Sequence, residues 1–255
     1  MTFSRGSQLA VAVLALVSKA TAASGKRGLN YNDATWANYF KGYSEITWGY
    51  NWGWPSNGLD ASFEFVPMLW GVPSAADPDW TNACSAAKNC LTYNEPDLSS
   101  QANTIPSVAA TGYQTYVQPL AGKARLGGPA VTNGGYGALP YIGLGWLDSF
   151  LADCTGCEID FMPVHWYDNA SAAVFEAYLT EAHSRSGGKP IWVTEFMLQD
   201  SEAAQIAFLQ EVMPWMDSQS WIERYSYFGV FEDFLINGAG AGLSSIGQTY
   251  ATYTG

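Results

Sequence analysis

Two glutamates stand where a folded chain has little reason to keep a charge. Glu95 lies in "LTYNEPDLSS", directly after an apolar-leaning run, and Glu195 is the last residue but one of "PIWVTEF". Only 13% of the 255 residues are charged. A carboxylate buried unpaired beside Ile191, Trp192 and Val193 would be costly. Taken singly, each glutamate could cap the following helix. Taken as a pair, they suit cleavage of a glycosidic bond. One carboxylic acid protonates the leaving oxygen, and the other carboxylate attacks the anomeric carbon or activates water. That chemistry requires both side chains at one place, a hundred residues apart in the chain.

The elements that must position them can be read from runs rich in β-branched and aromatic residues, bounded by turns. Eight occur: "KRGLNY" (26–31), "EITWGYNWG" (45–53), "FEFVPMLWG" (63–71), "NCLTYNEP" (89–96), "ARLGGPAV" (124–131), "IDFMPVHWY" (159–167), "PIWVTEFM" (190–197) and "IERYSYFGVF" (222–231). Helical spacing fills 107–123, 146–154, 172–185 and 201–218, the last with Asp200 or Ser201 as N-cap. Residues 55–62 read as a loop. Eight strands alternating with helices predict a single (β/α)8 TIM barrel. A doubly wound open sheet is the alternative, and periodicity alone does not separate the two.

A barrel gathers the C-terminal strand ends into one face, where barrel enzymes keep their sites. That face would carry Glu95 and Glu195 as catalytic groups. Around them would lie Asn30, Asn51, Trp52, Trp70, Asn94, His165, Tyr167 and Phe231 as sugar-contacting positions. His165 and Tyr167 alternate along one run and should share a face, where either could bind the sugar or tune a glutamate. Aromatic rings can stack on the apolar face of a sugar, and 15% of the chain is aromatic. Trp52, Trp54 and Trp70, near strand ends, are the expected platforms. Trp192 and Trp221 are expected to face helices, and Trp146 and Trp215 to lie on helical stripes.

The two histidines are too far apart for a zinc pattern, so no metal and no cofactor is expected. "NGAGAG" (237–242) lacks the Lys-Ser/Thr of a phosphate loop. The net charge is −12. Such a balance disfavours nucleic acid and anionic membranes and leaves neutral polymers open. The chain is expected to act as a monomer.

Arg5, the apolar "LAVAVLALV" (9–17) and the small residues Ala20 and Ala22 form a secretory signal pattern. Nine apolar residues are too few for a membrane span, which needs about 20. Residues 1–22 are therefore expected to be a signal peptide and 23–255 one catalytic domain, placing the protein outside the cell or in its wall. The leader would carry away Arg5 and Lys19 and no acid, leaving −14. Lys26-Arg27 offers a further processing point. An oxidising compartment favours disulfides for four cysteines. Three pairings are possible, and proximity favours Cys84–Cys90 with Cys154–Cys157. Asn169 begins the one N-glycosylation sequon.

"RGLNY", "FVPMLWG", "LTYNEPDLSSQAN", "ARLGGPAV", "FMPVHWY", "PIWVTEF" and "SSIGQTY" together resemble glycoside hydrolase family 128, secreted β-1,3-glucanases with a glycosyl hydrolase catalytic-core barrel. The resemblance covers nearly all of 26–255. It implies Glu95 as acid/base, Glu195 as nucleophile, Asn94 as the holder of the hydroxyl beside the reacting carbon, and a groove lined by aromatics such as Trp70 and Tyr167. The implied partner is a β-glucan polysaccharide or oligosaccharide. Without the resemblance, a β-1,4- or β-1,6-glucan, or a wall glycan bound without catalysis, fits the motifs as well.

Overall fold

The computed structural model describes residues 25–134 and 142–255. The expected leader lies outside them. Among the described residues nine strands form: β1 (Arg27–Asn30), β2 (Ile46–Tyr50), β3 (Glu64–Phe65), β4 (Met68–Leu69), β5 (Asn89–Asn94), β6 (Arg125–Ala130), β7 (Met162–Asp168), β8 (Ile191–Leu198) and β9 (Ile222–Tyr227). The third expected run is divided into β3 and β4 because Pro67, between them, has no N–H for the ladder. Its carbonyl still accepts from Leu91 N at 2.9 Å, so the two pieces occupy one strand position.

All strand pairs are parallel. One sheet runs β3-β2-β1-β9-β8-β7 and the other β4-β5-β6. β6 lies along β7 through Gly128 N to Phe161 O (3.0 Å), Asp160 N to Leu126 O (2.8 Å) and His165 N to Val131 O (2.9 Å). With β3 and β4 sharing a position, the ring closes. The fold is the eight-position β/α barrel, not the open sheet.

Helices follow most strands: α1 (Ala34–Ala37), α2 (Pro78–Ala86), α3 (Pro106–Gly112), α4 (Gly143–Asp153), α5 (Ala172–Arg185), α6 (Glu202–Ser218) and α7 (Ser245–Thr252). Ser201 caps α6 by accepting from Ala204 N. The stretch 107–123 is not one helix. After α3 it widens into a π turn over Tyr113–Val117 and tightens into a 3-10 turn over Gln118–Leu120. A loop replaces the helix after β2, as residues 55–62 suggest. Among the described residues no helix is long and apolar enough to cross a membrane.

Two apolar layers hold the barrel. The larger lies between strands and helices. The smaller gathers Trp48, Tyr50, Val66, Met68, Leu91, Phe161 and Trp192 from strands all round the ring, a grouping that only the lumen allows. Trp192 is thus not turned toward helices. It stacks on Phe161 inside the barrel, ring centroids 3.9 Å apart, with the Arg224 guanidinium over its other side. Strict alternation would put Trp192 and Glu195 on opposite faces. A bulge at Thr194 resets the parity: Val164 and His165 face Val193 and Glu195, and Thr194 is skipped. Trp48 lies in the same lumen layer and not at the mouth.

Both disulfides pair locally, Cys84–Cys90 and Cys154–Cys157. Lys26 and Arg27 are built into the fold. Lys26 Nζ donates to the carbonyls of Met216, Asp217 and Gln219 at the end of α6. Arg27 is fully buried and donates to Tyr225 Oη and to the carbonyls of Tyr250 and Tyr253. Lys26 thus holds the end of α6, and Arg27 clasps the C-terminal segment.

Candidate active site

Glu95 leaves β5 and Glu195 sits on β8, yet their side chains meet at the barrel mouth. They are 7% and 5% exposed, so each carboxylate must be answered by protein groups. His165 on β7 lies between them. Its Nδ1 is 2.8 Å from Glu95 Oε1, and its Nε2 is 3.4 Å from Glu195 Oε1. The second contact is a charge attraction only, since Nε2 makes no aligned hydrogen bond. One atom from each of the three groups falls within 4.8 Å of the others. Among the described residues this is the one such cluster close enough to share an ion. Both imidazole nitrogens already face carboxylates, however, which suits proton handling.

Glu195 is held from three further sides. Trp52 Nε1 donates to Oε1 at 2.8 Å, and Tyr167 Oη donates to Oε2 at 2.5 Å. The Tyr50 hydroxyl lies 3.3 Å from Oε1 and 3.1 Å from Thr194 O, sharing one proton between them. Burial, then the charge of Glu195, pushes both tyrosines well above the usual phenol range. They therefore stay donors. For His165, burial favours the neutral ring, but the charges of Glu195 and Glu95 outweigh it and raise its pKa.

Backbone strain collects at the same place. Trp52, Tyr93 and Glu95 have positive φ values of 59°, 30° and 45°. Such values cost free energy in residues bearing a Cβ and gather at functional sites. Gly229 is needed for space: a Cβ there would meet the Phe231 ring at 2.6 Å and Asn30 Oδ1 at 2.9 Å.

Above the carboxylates opens a groove of about 690 Å³. Trp52, Trp70, Asn94, Tyr167 and Phe231, all expected from the sequence, line it. Trp70 is 41% exposed and offers a free ring face. Phe231 stacks on Trp52 at 6.2 Å. Asn94 Nδ2 donates to Gln101 Oε1 (3.2 Å), which leaves its buried Oδ1 without a partner. Asn30 lies buried beneath the groove and donates to Thr194 O. Asn51 serves its own loop, donating to Pro55 O and accepting from Gly53 N. Trp54 packs against the outer core. Asn169, at the start of the sequon, is exposed.

Sequence reasoning missed several groups. Tyr50 could have been found, since it ends β2 on the same face as Trp48 and so points toward the strand-end groups. Asn32, Gln101, Asn133 and Gln199 also line the groove, but they lie in loops without a periodic signal. Asp97 lies in the loop that follows Glu95. It accepts from Thr132 N (3.2 Å), Thr132 Oγ1 (2.5 Å) and Gly143 N (2.8 Å), tying the Glu95 loop to the start of α4.

A closed parallel barrel whose fourth and seventh strand positions bring two glutamates together under an aromatic groove defines the class of barrel glycoside hydrolases. The family model described as the glycosyl hydrolase catalytic core matches residues 28–250, and the chain belongs to that family. Its solved relatives place it with glycoside hydrolase family 128. A GH128 (subgroup III) curdlan-specific exo-β-1,3-glucanase from Blastomyces gilchristii, in complex with glucose, is 44% identical. It superposes with a TM-score of 0.81 over 90% of this chain and 99% of that one. A GH128 (subgroup I) endo-β-1,3-glucanase from Amycolatopsis mediterranei, in complex with laminaritriose, is 29% identical with a TM-score of 0.76, covering 89% of this chain and 98% of the other. Alkali-sensitive linkage protein 1 of Schizosaccharomyces pombe is 31% identical over 248 residues, 89% of this chain. The chain spans 44% of that curated relative's length.

Proposed function

We propose that the chain is a secreted, retaining β-1,3-glucanase that works by double displacement through Glu95 and Glu195. The observation that carries the mechanism is the approach of the two carboxylates, with an oxygen of each within 4.8 Å of the other. Retaining glycosidases hold their carboxyl groups about 5–5.5 Å apart, whereas inverting ones leave about 6.5–9.5 Å for a water. The choice of β-1,3-glucan follows from the relatives. The signal pattern and the two disulfides support secretion.

In the first step Glu195 attacks the anomeric carbon. The bond to the leaving oxygen breaks, and Glu95 gives that oxygen a proton. In the second, Glu95 takes a proton from water as the water oxygen attacks the same carbon and Glu195 departs. The unpartnered Oδ1 of Asn94 is available to accept from a sugar hydroxyl. The test is to incubate wild type and Glu195→Gln with β-1,3-, β-1,4- and β-1,6-glucans and follow product size and anomeric configuration. Retention on the β-1,3-glucan, lost in the variant, is the expected result. Turnover of another linkage alone would overturn the substrate, inverted product the mechanism, and binding without turnover the enzyme itself.

A further inference from the structure

His165 is fully buried, with Nδ1 2.8 Å from Glu95 Oε1 and Nε2 3.4 Å from Glu195 Oε1, and the double-displacement scheme leaves it unused. We propose that His165 holds the catalytic proton in the free enzyme, as an imidazolium between Glu95 and Glu195, and passes it to Glu95 when substrate binds. The inference rests on the glycosidase reading of the site.

The geometry leaves the imidazole few alternatives. If Nδ1–H donates to Glu95 and Nε2 is bare, an electron-rich nitrogen lies 3.4 Å from the Glu195 carboxylate with no proton between them, an unfavourable approach. If Nε2 carries the only proton, Nδ1 accepts from a carboxylic acid on Glu95, and the charge of Glu195 still favours a second ring proton. The doubly protonated ring donates to Glu95 and places a positive charge 3.4 Å from Glu195. The charged groups acting on it are Glu195 on β8 and Glu95 and Asp97 after β5, all acidic. Tyr50 and Tyr167, on β2 and β7, stay neutral donors beside Glu195. The raised pKa of the ring agrees with this arrangement.

The transfer balances. The Nδ1–H bond breaks and an O–H bond forms on Glu95 Oε1, leaving neutral imidazole. Glu95 then delivers that proton to the leaving oxygen, which takes the electron pair of the broken bond. In the second step the proton that Glu95 takes from water returns to Nδ1. A sugar displacing water from the groove would drive the first shift, because a neutral acid–imidazole pair survives desolvation better than an ion pair. His165 acts through Glu95, so it is a positioning residue that also stores the proton.

Two measurements decide the matter. The chain has two histidines, so ring-nitrogen NMR on labelled protein, with His183→Gln for assignment, isolates His165. We expect both its nitrogens to stay protonated in free enzyme at pH values where an ordinary imidazole has lost its second proton. A singly protonated ring across the active pH range would overturn the proposal. This readout uses no substrate, so it stands apart from any failure to find a glucanase. The second is the pH profile of kcat/KM for His165→Gln, with His165→Asn if the first folds poorly. Without the imidazole the proton must rest on a carboxyl group, whose ordinary pKa lies about two units lower. The alkaline limb should therefore move down by one unit or more, with acid-side rates better preserved. An even loss at all pH values, with the limb unmoved, would mean a purely structural histidine and overturn the proposal.

Discussion

Tyr167 on β7 donates a 2.5 Å hydrogen bond to Oε2 of Glu195 on the neighbouring β8. The same tyrosine is clamped through its backbone. Asn133 donates to its carbonyl and accepts from its N–H, each at 3.3 Å. The phenol is thus placed before it acts, and it fixes the rotamer of the carboxylate.

Tyr167→Phe keeps the ring and removes that donor. A hydrogen bond to a charged group is worth about 1.5–3 kcal/mol, or roughly 10- to 150-fold in rate. We expect kcat/KM to fall by up to that range and the melting temperature to fall by a few degrees as well, because the bond is already made in the free protein. Steady-state kinetics on laminarin beside thermal unfolding checks both.

The two glutamates should respond differently to the leaving group. Glu195→Gln removes the nucleophile and should be inactive on polymer and on an activated aryl β-1,3-glucoside alike. Glu95→Gln loses general acid help, worth about 10²- to 10⁴-fold, on glucan. On the aryl substrate its first step should stay near wild type, because a phenolate leaves without a proton. Rapid-mixing measurement of phenol release distinguishes the variants, and equal losses on both substrates would exchange or void the roles.

Asp97→Ala strips partners from Thr132 N and Gly143 N. Unsatisfied donors of this kind cost about 1–3 kcal/mol. For a chain of this size each 1 kcal/mol lowers the melting temperature by roughly 2–4 °C. A loss of several degrees, largely recovered in Asp97→Asn, is expected from calorimetry.

The barrel floor should be acid-sensitive. Glu64 accepts from Arg224 at 2.6 Å and from Asn89 at 2.7 Å. Burial opposes its charge, but Arg224 and Asn89 outweigh burial and lower its pKa below the ordinary 4.5. A lowered folded pKa means stability present above the unfolded value and lost as pH falls through the folded one. Glu64→Gln should therefore melt lower than wild type at pH 6, and the gap should shrink by pH 3. A gap that is the same at both would reject this assignment.

The residues differ in how far they could be read in advance. All eight strand positions were visible because barrel strands are continuous runs of β-branched and aromatic residues. Glu95 and Glu195 stood out because charge is rare in such runs, and His165 and Tyr167 shared a face by simple alternation. The cysteine pairing followed from proximity. Trp192 did not follow, because a bulge at Thr194 breaks the period that the prediction assumed. Asn51 and Trp54 sat near a strand end, but nearness in sequence says nothing of where a loop turns its side chains.

The sequence by itself determined the order of the strand positions and the two carboxylates, since each is written in local composition and period; the choice of a closed barrel over an open sheet came from ring closure. Only the tertiary structure decided that His165 stands between the glutamates, that Trp52 and Tyr50 turn polar edges toward Glu195, and that Asp97 ties the acid's loop to α4. Those contacts join residues from separate strands and loops. Their existence depends on ring closure, register and a single skipped residue, quantities that no local window of the chain contains.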